Sequence, residues 1–541
     1  MNIQLSDHFT YKKLFRYVFP SVMMMIFTSM YSVVDGFFVS NFVGKTSFAA
    51  INLMIPLIMG VSTIGFMLAT GGSAIVSATL GEGKTELANR YFSMIVYVGI
   101  FLGLIFAVIG IFVAEPVAMF LGAEGELLKN CVIYGRILFA FVPAYMIQVM
   151  FQSFYVVAEK PNYSLRVTIA AGCTNMILDY VFIALFDWGI AGTGFATVIG
   201  YCVGGIIPIV YFCRKNNSTP LRLGKTQFYP KVFLKTCTNG SSEMVNNLSA
   251  SIVGILFNLQ LMKYAGETGV AAYGVLMYLG FIFIAIFLGY SMGSSPIVSY
   301  HYGAKNYDEL KNMFKKGLTI ITLGGLFLVA FAEVFARPLV SIFASYDKDL
   351  MEMSVAGARI SIISFVFAGI NIFGSGFFTS LNNGLISALI SFLRTLVFQI
   401  VTILVLPLIF GLKGIWFSMV IADVLACFTT IIFLTKFRKN IDIRMSFFER
   451  IKVKFAISRI IKMEKFFDDL RFSFEKSKDE FYKNKNLQKK LKSLTNYYES
   501  GKWLKDYQLD EQNLLPKTLK RGILSQDGIY DFLSEVESRE V

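Results

Sequence analysis

The sequence predicts an all-α integral membrane protein, with twelve transmembrane helices in two pseudo-symmetric six-helix lobes and a small α-helical cytoplasmic tail domain. Three observations carry that prediction. Hydrophobic residues make up 55% of the 541 residues and charged ones only 16%, against the ~25% charged of soluble domains. Apolar runs long enough to cross a bilayer recur up to about residue 440. The chain also repeats itself at one fixed offset, which carries Gly71 onto Gly293 and Gly189 onto Gly411.

The repeat is read directly. Gly71-Gly-Ser-Ala-Ile-Val-Ser-Ala-Thr-Leu-Gly81 aligns without gaps on Gly293-Ser-Ser-Pro-Ile-Val-Ser-Tyr-His-Tyr-Gly303, with six of eleven positions identical. At the same offset, Gly189-Ile-Ala-Gly-Thr-Gly-Phe-Ala-Thr-Val-Ile199 matches Gly411-Leu-Lys-Gly-Ile-Trp-Phe-Ser-Met-Val-Ile421 in five of eleven. Six spans separate the copies, so both halves enter the membrane the same way round. An axis along the membrane normal then relates them, with a path for substrate between.

Taken in order, the spans centre near Phe27, Gly65, Leu102, Ile147, Met176, Val203, Val253, Ile284, Leu326, Ile370, Ile400 and Met419. The first, from Leu14 to Val43, follows Lys12, Lys13 and Arg16 and carries Pro20 and Asp35. Lys and Arg gather in alternate loops: Lys84 and Arg90, Lys160 and Arg166, Arg214 to Lys235, Lys305 to Lys316, Arg438 and Lys439. That bias places both termini in the cytoplasm. The expected domains are an N-lobe (1–217), a C-lobe (218–440), a basic amphipathic linker (441–462) and a cytoplasmic helical domain (463–541). The tail holds 21 basic and 17 acidic residues, +4 of the net +14. Its stretch Met445 to Ile461 suits the surface of a lipid leaflet. The domain beyond it is open to a protein partner or to no partner at all.

Several function classes fall away. The positive charge lies in short loops between apolar runs, which does not imply nucleic acid. The six cysteines stand singly, without C-x-x-C spacing, and the only histidines are His8 and His301; they suggest packing rather than metal binding. Ala78-Thr-Leu-Gly-Glu-Gly-Lys84-Thr85 fits a relaxed phosphate-loop pattern but follows a membrane span instead of a strand. No signal for catalysis, a cofactor or a structural metal emerges, and no cleavable leader is evident.

The candidate functional residues are polar groups at membrane depth. A charged carboxylate there costs roughly 2.5–3.5 kcal/mol, so Asp35 is expected to face a polar cavity. Asn175 and Asp179 are four apart and share a helix face. With Asp35 they could enclose one monovalent cation, either H⁺ or Na⁺. Under the repeat, Asp35, Asn175 and Asp179 correspond to Phe257, Val397 and Val401, so the ionisable groups are confined to one half. Glu243 is read either as a substrate contact or as a carboxylate favoured at a helix N-terminus. Arg394 and Asp423 are expected to pair with each other. Tyr31, Gln148, Gln152, Asn258, Asn371 and Asn382 are further cavity candidates.

On these residues the chain from about 10 to 440 resembles the multidrug and toxic compound extrusion family. The resemblance rests on Val34-Asp-Gly-Phe-Phe-Val-Ser40, the loops at Gly81 and Gly303, Asn175-x-x-x-Asp179 and Gly266-Glu-Thr-Gly-Val-Ala-Ala-Tyr-Gly274. It implies two lobes forming a V, and monomeric export of organic cationic, amphipathic compounds from a bacterial cell in exchange for H⁺ or Na⁺. It also implies a cation site at Asp35, Asn175 and Asp179, and bending at Pro20. One subset of the family uses a glutamate in the seventh span about where Ala250 stands, so a C-lobe Na⁺ site is not expected here. The end of the chain resembles small helical domains of unknown function. Two other readings stay open: a flippase for a lipid-linked precursor, which would want more basic residues inside the spans, and a membrane scaffold or sensor acting through the tail.

Overall fold

Inside hydrocarbon, each backbone N–H and C=O must find its partner within its own segment, and among the described residues every regular element is helical. The computed structural model describes residues 3–43, 45–214, 219–345, 347–511, 515 and 519–537; the side chains of 32, 33, 35–37, 39–41, 45, 48, 440–452, 526 and 537 lie outside the description. The first half contains α1 (Tyr11–Phe42), α2 (Lys45–Gly81), α3 (Thr85–Phe120), α4 (Gly125–Ala140) and α5 (Val142–Val157). It continues with α6 (Pro161–Asp179), a π-helical stretch Tyr180–Leu185 and α7 (Gly189–Cys213). The second half contains α8 (Pro230–Gly303), α9 (Tyr307–Val334), α10 (Ala336–Ala344), α11 (Lys348–Ser361) and α12 (Ser364–Ser380). After them come α13 (Gly384–Phe392), a π-helical stretch Leu393–Val397 and α14 (Phe398–Lys476).

Among the described residues eight helices are long and apolar enough to cross a membrane, and the bent pairs α4/α5 (52°) and α11/α12 (50°) bring the spans to ten. Two of the ten are too long for one crossing. Pro230–Gly303 has 74 residues and Gly384–Lys439 has 56, roughly 110 Å and 84 Å at 1.5 Å per residue, against a core of ~30 Å. Each contains one glycine in a region closed to L side chains: Gly266 (φ 61°, ψ −154°) and Gly411 (φ 55°, ψ −137°). Divided there, the spans number twelve, six in each lobe. The repeat persists in the backbone. Gly411 (φ 55°) is the repeat partner of Gly189 (φ 55°), and Lys305 (φ 55°) that of Gly83 (φ 78°).

The lobes meet where glycine lets backbones touch. A Cβ on Gly81 would overlap the Tyr300 carbonyl, and one on Gly303 the Ala78 carbonyl. These two contacts are the same contact under the repeat. Gly71 lies on the backbone of Thr236 and Gly240, its repeat partner Gly293 lies on the side chains of Val18 (the partner of Gly240) and Ser21, and Gly240 and Gly289 approach the backbone of Met67 and Val22. Every such cross-lobe approach among the described glycines falls at one end: the start of α1, the end of α2 and the two ends of α8.

The chain divides into two compact units, Met1–Phe437 and Arg438–Val541, with the division inside α14. The second unit adds α15 (Lys478–Lys483), α16 (Lys485–Glu499), α17 (Lys502–Glu511), a 3₁₀ turn Gly522–Leu524 and α18 (Gln526–Glu537). Its core of Ile460, Phe467, Leu470, Phe474, Phe481, Leu494 and Ile529 also takes in Ala456. The packed part therefore begins before residue 463. Of the stretch expected to lie on lipid, the described Ala456 and Ile460 face this core while Phe455 and Ile461 are exposed. Two polar ties close the unit. Arg459 grips buried Asp506 with both arms, and Asp506 also accepts from the Tyr497 hydroxyl at 3.0 Å. Glu464 accepts the backbone N–H groups of Gly522 (3.1 Å) and Ile523 (2.6 Å).

Two outcomes are expected. Gly303→Val should lower the thermal midpoint of the detergent-purified protein, by about 1–3 kcal/mol of overpacking. Gly254→Val, with nothing within 4 Å of its Cβ position, should leave it unmoved. Asp506→Ala should destabilise the tail unit by about 2–4 kcal/mol, discounted for the partial exposure of Arg459, read as an earlier tail transition in chemical denaturation.

Candidate functional site

Burial and packing collect the N-lobe residues around one point. Asp179 is the last residue of α6 before the helix widens into its π-helical stretch, a distortion often found at functional positions. It is 0% exposed, Asn175 is also buried, and the Asn175 amide donates to Asp179 Oδ2 at 3.2 Å. Glycines bring the neighbouring helices in. A Cβ on Gly200 of α7 would stand 3.2 Å from the Asn175 Cβ, and one on Gly172 of α6 would stand 2.6 Å from the Phe27 ring and 3.2 Å from that of Tyr31, both on α1. Asp35 lies in α1 one turn after Tyr31; its side chain is outside the described residues. Pro20 is buried inside α1, which continues through it as one helix.

An aromatic wall adjoins this point. The Tyr145 and Tyr201 rings stand 4.6 Å apart, Phe66 meets Tyr145 edge-on at 6.4 Å, and the Tyr145 hydroxyl reaches Met59 Sδ at 3.8 Å. Gln148, one turn further along α5, is buried against Gly204 with its Oε1 unpartnered. Such ring faces attract organic cations. Tyr145 and Tyr201 were not singled out from the sequence. The available signal was that Tyr145, Gln148 and Gln152 fall at i, i+3 and i+7 on one face of α5.

The other candidates are dispersed. Gln152 donates to Thr168 (3.4 Å) and its carbonyl accepts from Ser164 (3.1 Å), tying α5 to α6. Glu243 sits more than three turns inside α8, which begins at Pro230, so stabilisation of a helix N-terminus does not account for it. It is half-buried, and Asn246 donates to its carboxylate. Asn258 is exposed. Asn382 adopts a left-handed turn after α12 (φ 56°) and accepts from Asn239 at 3.4 Å.

The C-lobe has a polar centre of another kind. Arg394 Nε donates to Asp423 Oδ1 at 2.7 Å, the pairing expected from sequence. Asn371, 0% exposed, donates to the Asp423 carbonyl (3.0 Å) and accepts from Thr430 (2.8 Å). Beside it, Thr379, Ser387, Ser375 and Ser391 form a buried chain of hydroxyls spaced 2.7–3.0 Å. Under the repeat, Arg394 and Asp423 correspond to Gly172 and Tyr201. The C-lobe therefore carries a fixed ion pair at the positions where the N-lobe has a glycine packed by Phe27 and Tyr31 and a tyrosine ring beside that of Tyr145. Among the described residues no group of three or more His, Cys, Asp or Glu could hold a metal ion.

Removing one member of that pair should be costly. Arg394→Met leaves Asp423 buried without its counter-charge, and about 3–5 kcal/mol of stability should be lost. Arg394→Met/Asp423→Asn should recover most of it, as measured by thermal unfolding of the two variants.

Comparison with known proteins agrees with this fold. The MatE family model matches residues 20–181 and 244–405, once in each lobe, and a domain of unknown function, DUF4298, matches residues 460–539. The multidrug export protein MepA of Staphylococcus saprophyticus is 24% identical over 436 residues, covering 80% of this chain and 95% of its own length. MepA of Staphylococcus aureus is 23% identical with the same coverage. Among solved structures, an outward-facing multidrug resistance MATE family transporter of the MOP superfamily has the same fold, with a TM-score of 0.77 at 21% identity over 82% of this chain and 98% of that one.

Proposed function

The chain belongs to the MatE family of multidrug efflux transporters, membrane proteins and not enzymes, and we propose that it exports organic cationic, amphipathic compounds in exchange for H⁺ or Na⁺ by alternating access. The observation that carries the reading is Asp179, fully buried at the junction between α- and π-helix, bonded to Asn175 and packed where α1, α6 and α7 meet. A carboxylate so enclosed is costly while charged, and uptake of one cation removes that cost. Asp35 completes the coupling site from α1, and Pro20 lets α1 bend as the cation enters. Substrate cations are held against the ring faces of Tyr145, Tyr201 and Tyr31, with Gln148 and Glu243 as polar contacts.

Energy comes from the ion gradient, about 2.3 kcal/mol per elementary charge per 100 mV. The loop cations favour both termini in the cytoplasm; on that reading the glycine contacts between lobes close the cytoplasmic end and the cleft opens outward. The protein works as a monomer, the cleft between its own lobes being the path.

Ethidium efflux from energised cells tests the proposal, using wild type, Asp35→Asn and Asp179→Asn at matched membrane levels, with a protonophore or without sodium. Efflux should be largely lost in both variants and on collapse of one of the two gradients, and that gradient names the ion. A normally inserted Asp179→Asn transporter with undiminished efflux would remove the N-lobe carboxylate from the mechanism.

A further inference from the structure

The residues ahead of α1 make more contacts than a leader to a membrane span requires. Leu5 and Phe9 are 1% and 0% exposed. The Leu5 N–H donates to Glu159 Oε1 at 2.8 Å, in the turn between α5 and α6 of the N-lobe. The Phe9 N–H donates to Glu309 Oε1 at 3.0 Å, and His8 Nδ1 lies 2.6 Å from Glu309 Oε2, at the start of α9 in the C-lobe. Asn312 donates to the Phe9 carbonyl at 3.0 Å, as does Lys316 Nζ, and Asn312 also braces Glu309 at 2.7 Å. The segment is thus held in the N-lobe at both ends, covalently at Thr10 and through Glu159 at Leu5. Its middle grips the C-lobe.

Two details show that this is more than incidental packing. Glu159 has φ 61°, a conformation unfavourable for a residue with a Cβ. It retains a side chain there although glycine would fit the turn better, and its carboxylate receives Leu5. The acids at the two contacts also break the repeat. In the other copy the left-handed turn position of Glu159 is held by Asn382 (φ 56°), and Glu309 corresponds to Leu87. The scaffold needs neither acid, because its other copy does without both.

We propose that residues 3–10 form a strap that fastens the two lobes together at the end where the glycines meet, and that its grip on Glu309 must break before the cleft opens on that side. This rests on the alternating-access reading given above. The strap sets how often the protein opens to the cytoplasm, while the coupling site sets what is carried. Glu159 pre-positions the strap, and Glu309 with Asn312 and Lys316 forms its catch. Charge-assisted hydrogen bonds of this kind change such an equilibrium by roughly tenfold each.

The test reads the opening directly. Thr236, buried against Gly71 across the lobe interface, is replaced by cysteine in a full-length protein whose six native cysteines are alanine. Its labelling by a membrane-impermeant maleimide is timed in inside-out vesicles. Glu309→Ala and deletion of residues 2–9 should each speed labelling by about tenfold, and Glu159→Gln by less. Labelling within twofold of the parent in both Glu309→Ala and Glu159→Gln overturns the strap, and these point variants decide the matter where the deletion fails to insert. No substrate is needed, so an absence of ethidium efflux would count against the exporter reading while leaving this result intact.

Discussion

Closing one end of the membrane unit depends on backbone touching backbone between the lobes. Gly81 against Tyr300 and Gly303 against Ala78 are one contact made twice, as are Gly71 against Gly240 and Gly293 against Val18. In lipid the hydrophobic effect does not drive helices together, so close van der Waals approach must do so, and any side chain at these positions would hold the lobes apart. The interface consequently joins α2 to both ends of α8 and α1 to its second crossing. The N-lobe keeps its own interior, with Phe92, Phe151, Phe154 and Phe212 packed in one cluster and Met54, Cys131, Tyr134 and Phe139 in another. Rigid lobes joined by a narrow, symmetric contact are the mechanical arrangement that rocking motions require.

Against this shared scaffold, the polar groups depart from symmetry, and in opposite ways. Asn175 and Asp179 stand where the C-lobe has Val397 and Val401. Arg394 and Asp423 stand where the N-lobe has Gly172 and Tyr201. A buried carboxylate matched by a guanidinium on the next helix is already neutral as a pair, and it stiffens what surrounds it. The hydroxyl chain of Ser375, Thr379, Ser387 and Ser391 extends that fixed polar core. Within the N-lobe the corresponding volume is lined by rings and by glycines that admit close neighbours. One lobe thus has a buried acid bonded to a guanidinium, and the other a buried acid bonded to the Asn175 amide.

Most of the architecture was legible in the sequence because it follows from length, apolarity and repetition. The offset that aligned Gly189 with Gly411 also located two backbone breaks, and the twelve span centres all fall inside observed crossings. Helix limits were less legible, since a membrane helix continues past the lipid boundary without a compositional change; Glu243, read as close to a helix start, lies deep inside α8. Aromatic residues were the harder problem. Tyr145 and Tyr201 sit in runs where a ring is as good for packing as for binding, and only the neighbouring glycines and the opposing helix distinguish the two uses. The polar candidates Asn371 and Asn382 looked like cavity residues because an amide at depth is costly, yet here both meet protein partners.

The segment before α1 was illegible for a different reason. Its contacts join residues some 300 positions apart, and nothing local in Leu5, His8 or Phe9 indicates that a carboxylate waits at Glu309. The repeat is the one feature of the sequence that bears on it, through absence: Leu87 and, in the matching turn, Asn382 occupy the places that Glu309 and Glu159 would have if the duplication were complete. The glycine seal and the positive-φ glycines at Gly189 and Gly411 recur in both copies and belong to the shared scaffold. The N-lobe acid, the C-lobe ion pair and the strap occur once. An axis along the membrane normal does not exchange the two faces of the membrane, so the paired glycine contacts already favour closure at one end, and the strap adds a single, unpaired hold to that same end.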